Sequence, residues 1–427
     1  MGPVRFRLEP RAVLVLGAIA LLVSAAVPFW NVHPDEATYL QIALESREHH
    51  QWLDASYFGG LNFFKPPLLY AAIRASFFLF GDSLWAARLP VLACLFWSAV
   101  VVYRWAEQVA GGSAGLVAAA LMLASPMALR FGHLAMMDVP LGASFLLAAV
   151  VGRRVREEAT PPWPWLFLAV AGTLLLKGPA LAPLVIGAFL AEAGLGALRR
   201  PVAIVWLTAG LLAGSSWIAY SALAHGQLFL SAFFGRENLG KFDLPWSPIH
   251  VLGLLVGLLG CAIPWRLWPL GFRAAQVPRF AKVFPLLALA VYSVPSVTFP
   301  QYMVCVLPAV ALGVGVLSAR ASPRLVVAHV AVAATLLLTG AFITYAGTRR
   351  PDVACSRVEV VDEKPAFFQV WFRHDAGAPV CTVVPGACEG PGEPLDIPRQ
   401  DVSDQHVLAA LRQRSLKPLT RPMCLSR

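Results

Sequence analysis

Apolar runs close to membrane-spanning length follow one another from residue 12 to residue 346. A spanning α-helix needs roughly 20 predominantly apolar residues. Lipid offers no partner to an exposed backbone amide or carbonyl, so a chain built this way has few options beyond helices packed on one another. About eleven runs qualify: 12–30, 85–104, 114–131, 138–152, 162–176, 178–195, 202–222, 249–270, 283–299, 301–317 and 325–346. Composition agrees, with 58% hydrophobic and 14% charged residues, where a soluble domain carries roughly 25% charged residues. The expected fold is an all-α polytopic membrane protein. The first run is read as a retained anchor rather than a cleaved signal peptide, because Val27-Pro28-Phe29-Trp30 offers no small-residue cleavage site.

A net charge of +10 raises the question of nucleic acid, and the distribution answers it. No basic run interleaved with aromatic residues occurs, so nucleic-acid binding is not expected. The basic residues instead sit in short loops, as cytoplasmic loops of membrane proteins require. They also settle segment 66–80, which reads either as a span or as a helix lying in the interface. If it does not cross, Arg5, Arg7 and Arg11 share a side with Arg153, Arg154 and Arg156, with Arg199 and Arg200, with Arg266, Arg273, Arg279 and Lys282, and with Arg320 and Arg324. If it crosses, the later clusters move outside. The interfacial reading is therefore adopted, and loop 31–84 is external. So are the turns at Asp138 and Lys177, loop 223–248, the turn 295–302 and everything after 347.

The expected organisation is a membrane domain over 1–346 and a small soluble domain over 347–427. The tail is polar and proline-containing, with a β-like run at 379–384 and an amphipathic helix expected over 402–414. It holds Cys355, Cys381, Cys388 and Cys424. In an oxidising compartment these four form disulfides, with the pairing left open among the connectivities four thiols allow. Cys94, Cys261 and Cys305 lie in apolar runs and read as packing residues.

The chemistry-bearing side chains collect on the external face. Asp35 and Glu36 follow the first run and are the catalytic candidates. A carboxylate held at a membrane boundary is costly unless it functions, and it can serve as general base to a hydroxyl. The competing reading is a helix cap, since acids suit a helix N-terminus. His33 stands nearby, either structural beside Pro34 or an acid–base group. Lys65, in Phe64-Lys65-Pro66-Pro67, is either a snorkelling lysine or a point charge for a phosphate. Asp138 caps a helix or faces a substrate, and Lys177, before Gly178-Pro179, snorkels or does the same. Loop 223–248 concentrates Arg236, Glu237, Asn238 and Lys241 among aromatics, and Tyr302 follows a break at 293–302. Broken backbone at membrane depth requires protein or water around it.

Taken in order, these segments resemble the GT-C glycosyltransferases of the protein O-mannosyltransferase and lipid A aminoarabinose transferase superfamily. The matching pieces are Asp35-Glu36, Phe64-Lys65-Pro66-Pro67-Leu68-Leu69-Tyr70, Ala87-Arg88-Leu89-Pro90, Met137-Asp138, Leu176-Lys177-Gly178-Pro179, Arg236-Glu237-Asn238 and Pro300-Gln301-Tyr302. They cover roughly residues 28–310, and the tail adds nothing. The resemblance implies a GT-C-type helix bundle with an extracytoplasmic active site, to which the readings above add interfacial helices in the first external loop and a small α/β-like C-terminal domain. The basic loops place the N-terminus in the cytoplasm, and an Arg-, Ala- and Leu-rich chain with exported cysteines reads as a bacterial inner-membrane protein. The donor would be a polyprenyl-phosphate sugar and the acceptor a lipid, polysaccharide or protein hydroxyl. Asp35 matches the acid that activates the acceptor, with Glu36 beside it. Lys65 and Tyr302 match positions that hold the donor phosphate, joined by Arg236 or Lys241. Asp138 and Lys177 match further polar positions. The chemistry requires no cofactor, although Glu36 and His33 leave room for a divalent ion. The departures are a short tail and a compact first loop, which favour a lipid or polysaccharide acceptor. A transporter or flippase is the alternative reading. It is disfavoured because no internal repeat is visible and the charges gather at one face rather than at mid-membrane.

Overall fold

The structure is a computed structural model. It describes residue 15, residues 17–19, 34–48, 52–57, 60–81, 83–157, 160–263, 276–318 and 323–348, and short strands between 384 and 425. It is mostly helical, as the apolar runs require. Three helices among the described residues are long and apolar enough to cross a membrane: Leu84–Ala110, Pro201–Phe242 and Pro300–Leu317. Shorter apolar helices accompany them, including Gly112–Ala124, Trp163–Lys177, Pro179–Ala193 and Pro248–Ala262.

The helix boundaries follow local chemistry. The apolar run 114–131 is divided at Ser125, whose hydroxyl accepts from the Ala128 amide at 3.3 Å while Pro126 opens the next helix. The run 283–299 ends early: its helix, Arg279–Tyr292, stops at Tyr292, and the chain is irregular until Pro300. The run 202–222 extends instead. Its helix continues to Phe229, with a kink at Gly226 (φ +53°), and passes into a π-helical turn over Leu230–Asn238. Segment 66–80 forms the helix Leu68–Phe80, of 13 residues. At 1.5 Å per residue that is about 20 Å, short of a hydrocarbon core of about 30 Å.

By contact the chain divides into two units, 1–22 with 62–69 and 91–338, and 23–61 with 70–90 and 339–427. In the first unit, helix Asp138–Arg156 packs on Ala182–Ala193, Trp163–Lys177 on Pro201–Phe229, and Gly112–Ala124 on Leu307–Leu317. Small residues allow the approach, as is usual between membrane helices: a Cβ on Gly152 would overlap the Phe189 carbonyl, and one on Gly257 the Pro300 carbonyl. Arg156 pairs with the fully buried Glu192 at 2.5 Å, and Glu192 also accepts the Phe280 amide at 2.8 Å. Two of the basic clusters, around 153–156 and 279–282, therefore share one end.

In the second unit, helix Pro34–Glu48 is followed by a small antiparallel ladder that pairs Ser56 with Leu61 and Tyr57 with Gly60. Further along lie three short parallel strands, Val384–Pro385, Glu393–Leu395 and Met423–Leu425, with the last in the middle. The helix expected over 402–414, the thiols of the four tail cysteines and most of the first run lie outside the described residues.

Candidate active site

In the first unit, one polar group forms where two neighbouring helices meet end to start. Trp163–Lys177 stops because Gly178 takes φ +96° and Pro179 follows. This leaves Lys177 at the helix end, facing the start of Asp138–Arg156. The Lys177 ammonium lies 3.1 Å from Asp138 Oδ1, with both side chains largely buried. The ammonium also stands 4.1 Å above the centre of the Tyr302 ring, within reach of a cation–π attraction. Tyr302 is held from its other sides by Tyr292, 5.3 Å away, and Phe299, 5.8 Å away. Three positions widely separated in sequence thus form one group. Asp138 and Lys177 neutralise each other where a lone charge would be costly.

A second group lies on the π-helical turn. Lys65 Nζ pairs with Glu237 Oε1, and Lys241 Nζ reaches the same oxygen at 3.1 Å. The position of Lys65 is built from its neighbours. Phe63 is buried in an aromatic pile with Trp217, Phe229 and Phe233. Asn62 Oδ1 accepts the Phe64 amide at 2.8 Å, a local side-chain turn just before Lys65. The Arg236 guanidinium lies 5.7 Å above the Phe64 ring. The Asn238 side chain donates to the Phe233 carbonyl at 2.6 Å, tying the end of the π-helical turn to its middle. The two groups are tied together through backbone. The Lys241 carbonyl accepts the amides of Ser296 and Val297 at 2.9 and 3.1 Å, in the broken segment that leads to Tyr302. Gly178, beside Lys177, sits against the Phe233 ring where a Cβ would stand 3.2 Å away.

In the second unit, Glu36 and Asp35 have different surroundings. Glu36 is fully buried and takes both ends of the Arg88 guanidinium, at 2.7 and 2.8 Å. Asp35, in the first turn of Pro34–Glu48, is exposed. The Tyr70 hydroxyl nearby is pushed well above its ordinary pKa, first by burial and then by the Asp35 charge. Tyr39 packs on Tyr70 with ring centres 5.7 Å apart. Arg74 lies 3.6 Å above the Trp52 ring. His33 lies outside the described residues. Among the described residues no group of three His, Cys, Asp or Glu side chains is placed to hold a metal ion, and the Glu36 oxygens are engaged by Arg88.

The motif residues read from the sequence thus fall into Asp138 with Lys177 and Tyr302, Lys65 with Lys241 beside Arg236, and Asp35 with Glu36 in the other unit. Two participants were quoted from the sequence only within matching segments and given no role: Arg88, partner of Glu36, and Glu237, partner of both lysines. Their signal was present. Each is a charge inside an apolar or aromatic segment, and such a charge calls for a counter-charge.

Residues 64–220 match the family described as dolichyl-phosphate-mannose-protein mannosyltransferase. Over 326 residues the chain is 28% identical to undecaprenyl phosphate-alpha-4-amino-4-deoxy-L-arabinose arabinosyl transferase 1 of Sodalis glossinidius (strain morsitans), spanning 66% of this chain and 56% of that relative. The crystal structure of ArnT from Cupriavidus metallidurans bound to undecaprenyl phosphate superposes with a TM-score of 0.68 at 18% identity, covering 96% of this chain and 88% of that one. The apo structure of the same protein gives 0.67 at 17% identity. The chain resembles the GT-C superfamily in sequence and shares its ArnT-type fold. In that GT-C frame, the family match begins at Phe64, one residue before Lys65, and takes in Asp138 and Lys177.

Proposed function

We propose that this chain transfers a sugar from a polyprenyl-phosphate donor to a hydroxyl of a lipid or envelope polysaccharide, on the extracytoplasmic face of a bacterial inner membrane. The carrying observation is the convergence of Lys65 and Lys241, far apart in sequence, on one carboxylate position at an aromatic-lined helix end. Two ammonium groups held this way suit a phosphate at a membrane surface. The arabinosyl transferase of Sodalis glossinidius is named for an undecaprenyl-phosphate sugar, which supports a donor of that class.

The chemistry follows from the residues. The acceptor hydroxyl loses its proton to Asp35, the exposed member of the acidic pair. Its oxygen bonds to the anomeric carbon from the face opposite the phosphate. The carbon–oxygen bond to phosphate breaks, and its electron pair leaves with the phosphate. Lys65 and Lys241 stabilise the charge that develops there, and Tyr302 donates to it. The product is an inverted glycoside and a polyprenyl phosphate. Asp138 and Lys177 hold Tyr302 in place, since the Lys177 ammonium lies over its ring. The basic ends of the helices, such as Arg153 to Arg156, face the cytoplasm under the positive-inside rule.

The test is transfer by the full chain in lipid, with a panel of radiolabelled undecaprenyl-phosphate sugars and envelope lipid extract. The expected result is label in a new product with the wild type and none with Asp35→Asn. Folded wild-type protein that moves no label from any donor overturns the proposal.

A further inference from the structure

The sequence led to lysines for the donor phosphate, and the structure shows what they hold: the carboxylate of Glu237. Lys65 and Lys241 share one of its oxygens, across 172 residues in the first case and one helical turn in the second. All three side chains are largely withdrawn from solvent, at 13%, 27% and 21% exposure for Lys65, Lys241 and Glu237. We infer that Glu237 is a resident counter-ion of the phosphate site, displaced when the donor phosphate binds and returning to the lysines to expel the spent carrier. The inference rests on the donor reading given above.

Charge arithmetic supports it. Two lysines and Glu237 sum to +1. A sugar–phosphate diester carries one negative charge. A free phosphate monoester carries about −1.5 to −2 near neutrality, so the spent carrier binds two lysines more firmly than the donor does. A carboxylate that competes for the same ammonium groups weakens both complexes, and it offsets one of the two lysine charges when no phosphate is bound. The π-helical turn suits the task. Such turns interrupt the regular ladder, and this one carries Glu237 between Arg236 and Asn238 on a segment joined by the Lys241 carbonyl to the broken stretch before Tyr302. Glu237 acts through the lysines, so it is a positioning residue rather than a catalytic one.

The experiment measures the affinity of the full chain, in nanodiscs, for undecaprenyl phosphate. For Glu237→Gln the expected result is about five- to ten-fold tighter binding, the size of one modest charge pair. Turnover with a working donor should show KM and kcat falling together, because release of the carrier slows. A purely structural Glu237 would not tighten binding on removal, so equal or weaker affinity in folded protein overturns the inference. If Glu237→Gln does not fold, Glu237→Asp, one methylene shorter, gives up one lysine and should tighten binding about two- to three-fold; no tightening overturns it. Lys65→Ala separates the two readings. If Lys65→Ala leaves carrier affinity unchanged, the donor-site assignment itself fails. If Lys65→Ala weakens it while Glu237→Gln fails to tighten it, only the role of Glu237 is lost.

Discussion

Replacing Glu36 with Gln should destabilise the protein far more than an exposed carboxylate would, and the reason is Arg88. Glu36 is 0% exposed and Arg88 1% exposed, and the two are joined by bonds of 2.7 and 2.8 Å. Each charge-assisted bond contributes about 1.5–3 kcal/mol. Removing one partner of a buried pair costs about 3–5 kcal/mol, because the other charge stays behind without compensation. The two figures agree, so about 3–5 kcal/mol is expected for Glu36→Gln and a similar loss for Arg88→Met. The double variant Glu36→Leu with Arg88→Met removes both charges and should recover most of that loss. The assay is reversible unfolding of the purified protein in mixed micelles, for both singles and the double, with transfer activity measured on the folded fraction. A Glu36→Gln protein within about 0.5 kcal/mol of wild type that nevertheless loses transfer would refute the reasoning and return Glu36 to the chemistry beside Asp35.

Further expectations concern the first unit. Lys65→Ala should weaken binding of undecaprenyl phosphate by about ten- to a hundred-fold, the range of one charge-assisted contact, with a smaller effect on the chemical step; calorimetric titration into nanodiscs checks this. Lys177→Met should cost about 3 kcal/mol or more by stranding buried Asp138, and pairing it with Asp138→Leu should restore stability in the same unfolding assay. Tyr302→Phe keeps the ring beneath Lys177, so the cation–π contact is retained while affinity for undecaprenyl phosphate should fall in the same titration. Gly178→Ala forces a side chain onto φ +96° and against Phe233, a strain of about 1–3 kcal/mol that should lower the unfolding midpoint.

Most of the helical plan was legible in the chain, because lipid leaves an apolar run little freedom. The breaks at Ser125-Pro126, Gly178-Pro179 and 293–300 come from residues that cap, break or cannot continue a helix, and those are local properties. The polar residues proposed for function were legible too: Asp35, Lys65, Asp138, Lys177, Lys241 and Tyr302 stand out as polar groups in apolar surroundings, and the resemblance supplied their order. Partnership was not legible. That Glu36 belongs to Arg88, Asp138 to Lys177, and Lys65 to Glu237 depends on which helix ends lie side by side, whereas Lys241 stands one turn after Glu237 and that pair is local. Nothing along a single helix encodes that adjacency. The position of the short helices was equally beyond the sequence, since an apolar stretch of 13 residues is compatible with a tilted span, a buried helix or an interfacial one. Hydropathy, with local caps and breakers, set most of the helical segments. Only packing, through close approaches such as Gly152 on the Phe189 backbone, decided which charges meet.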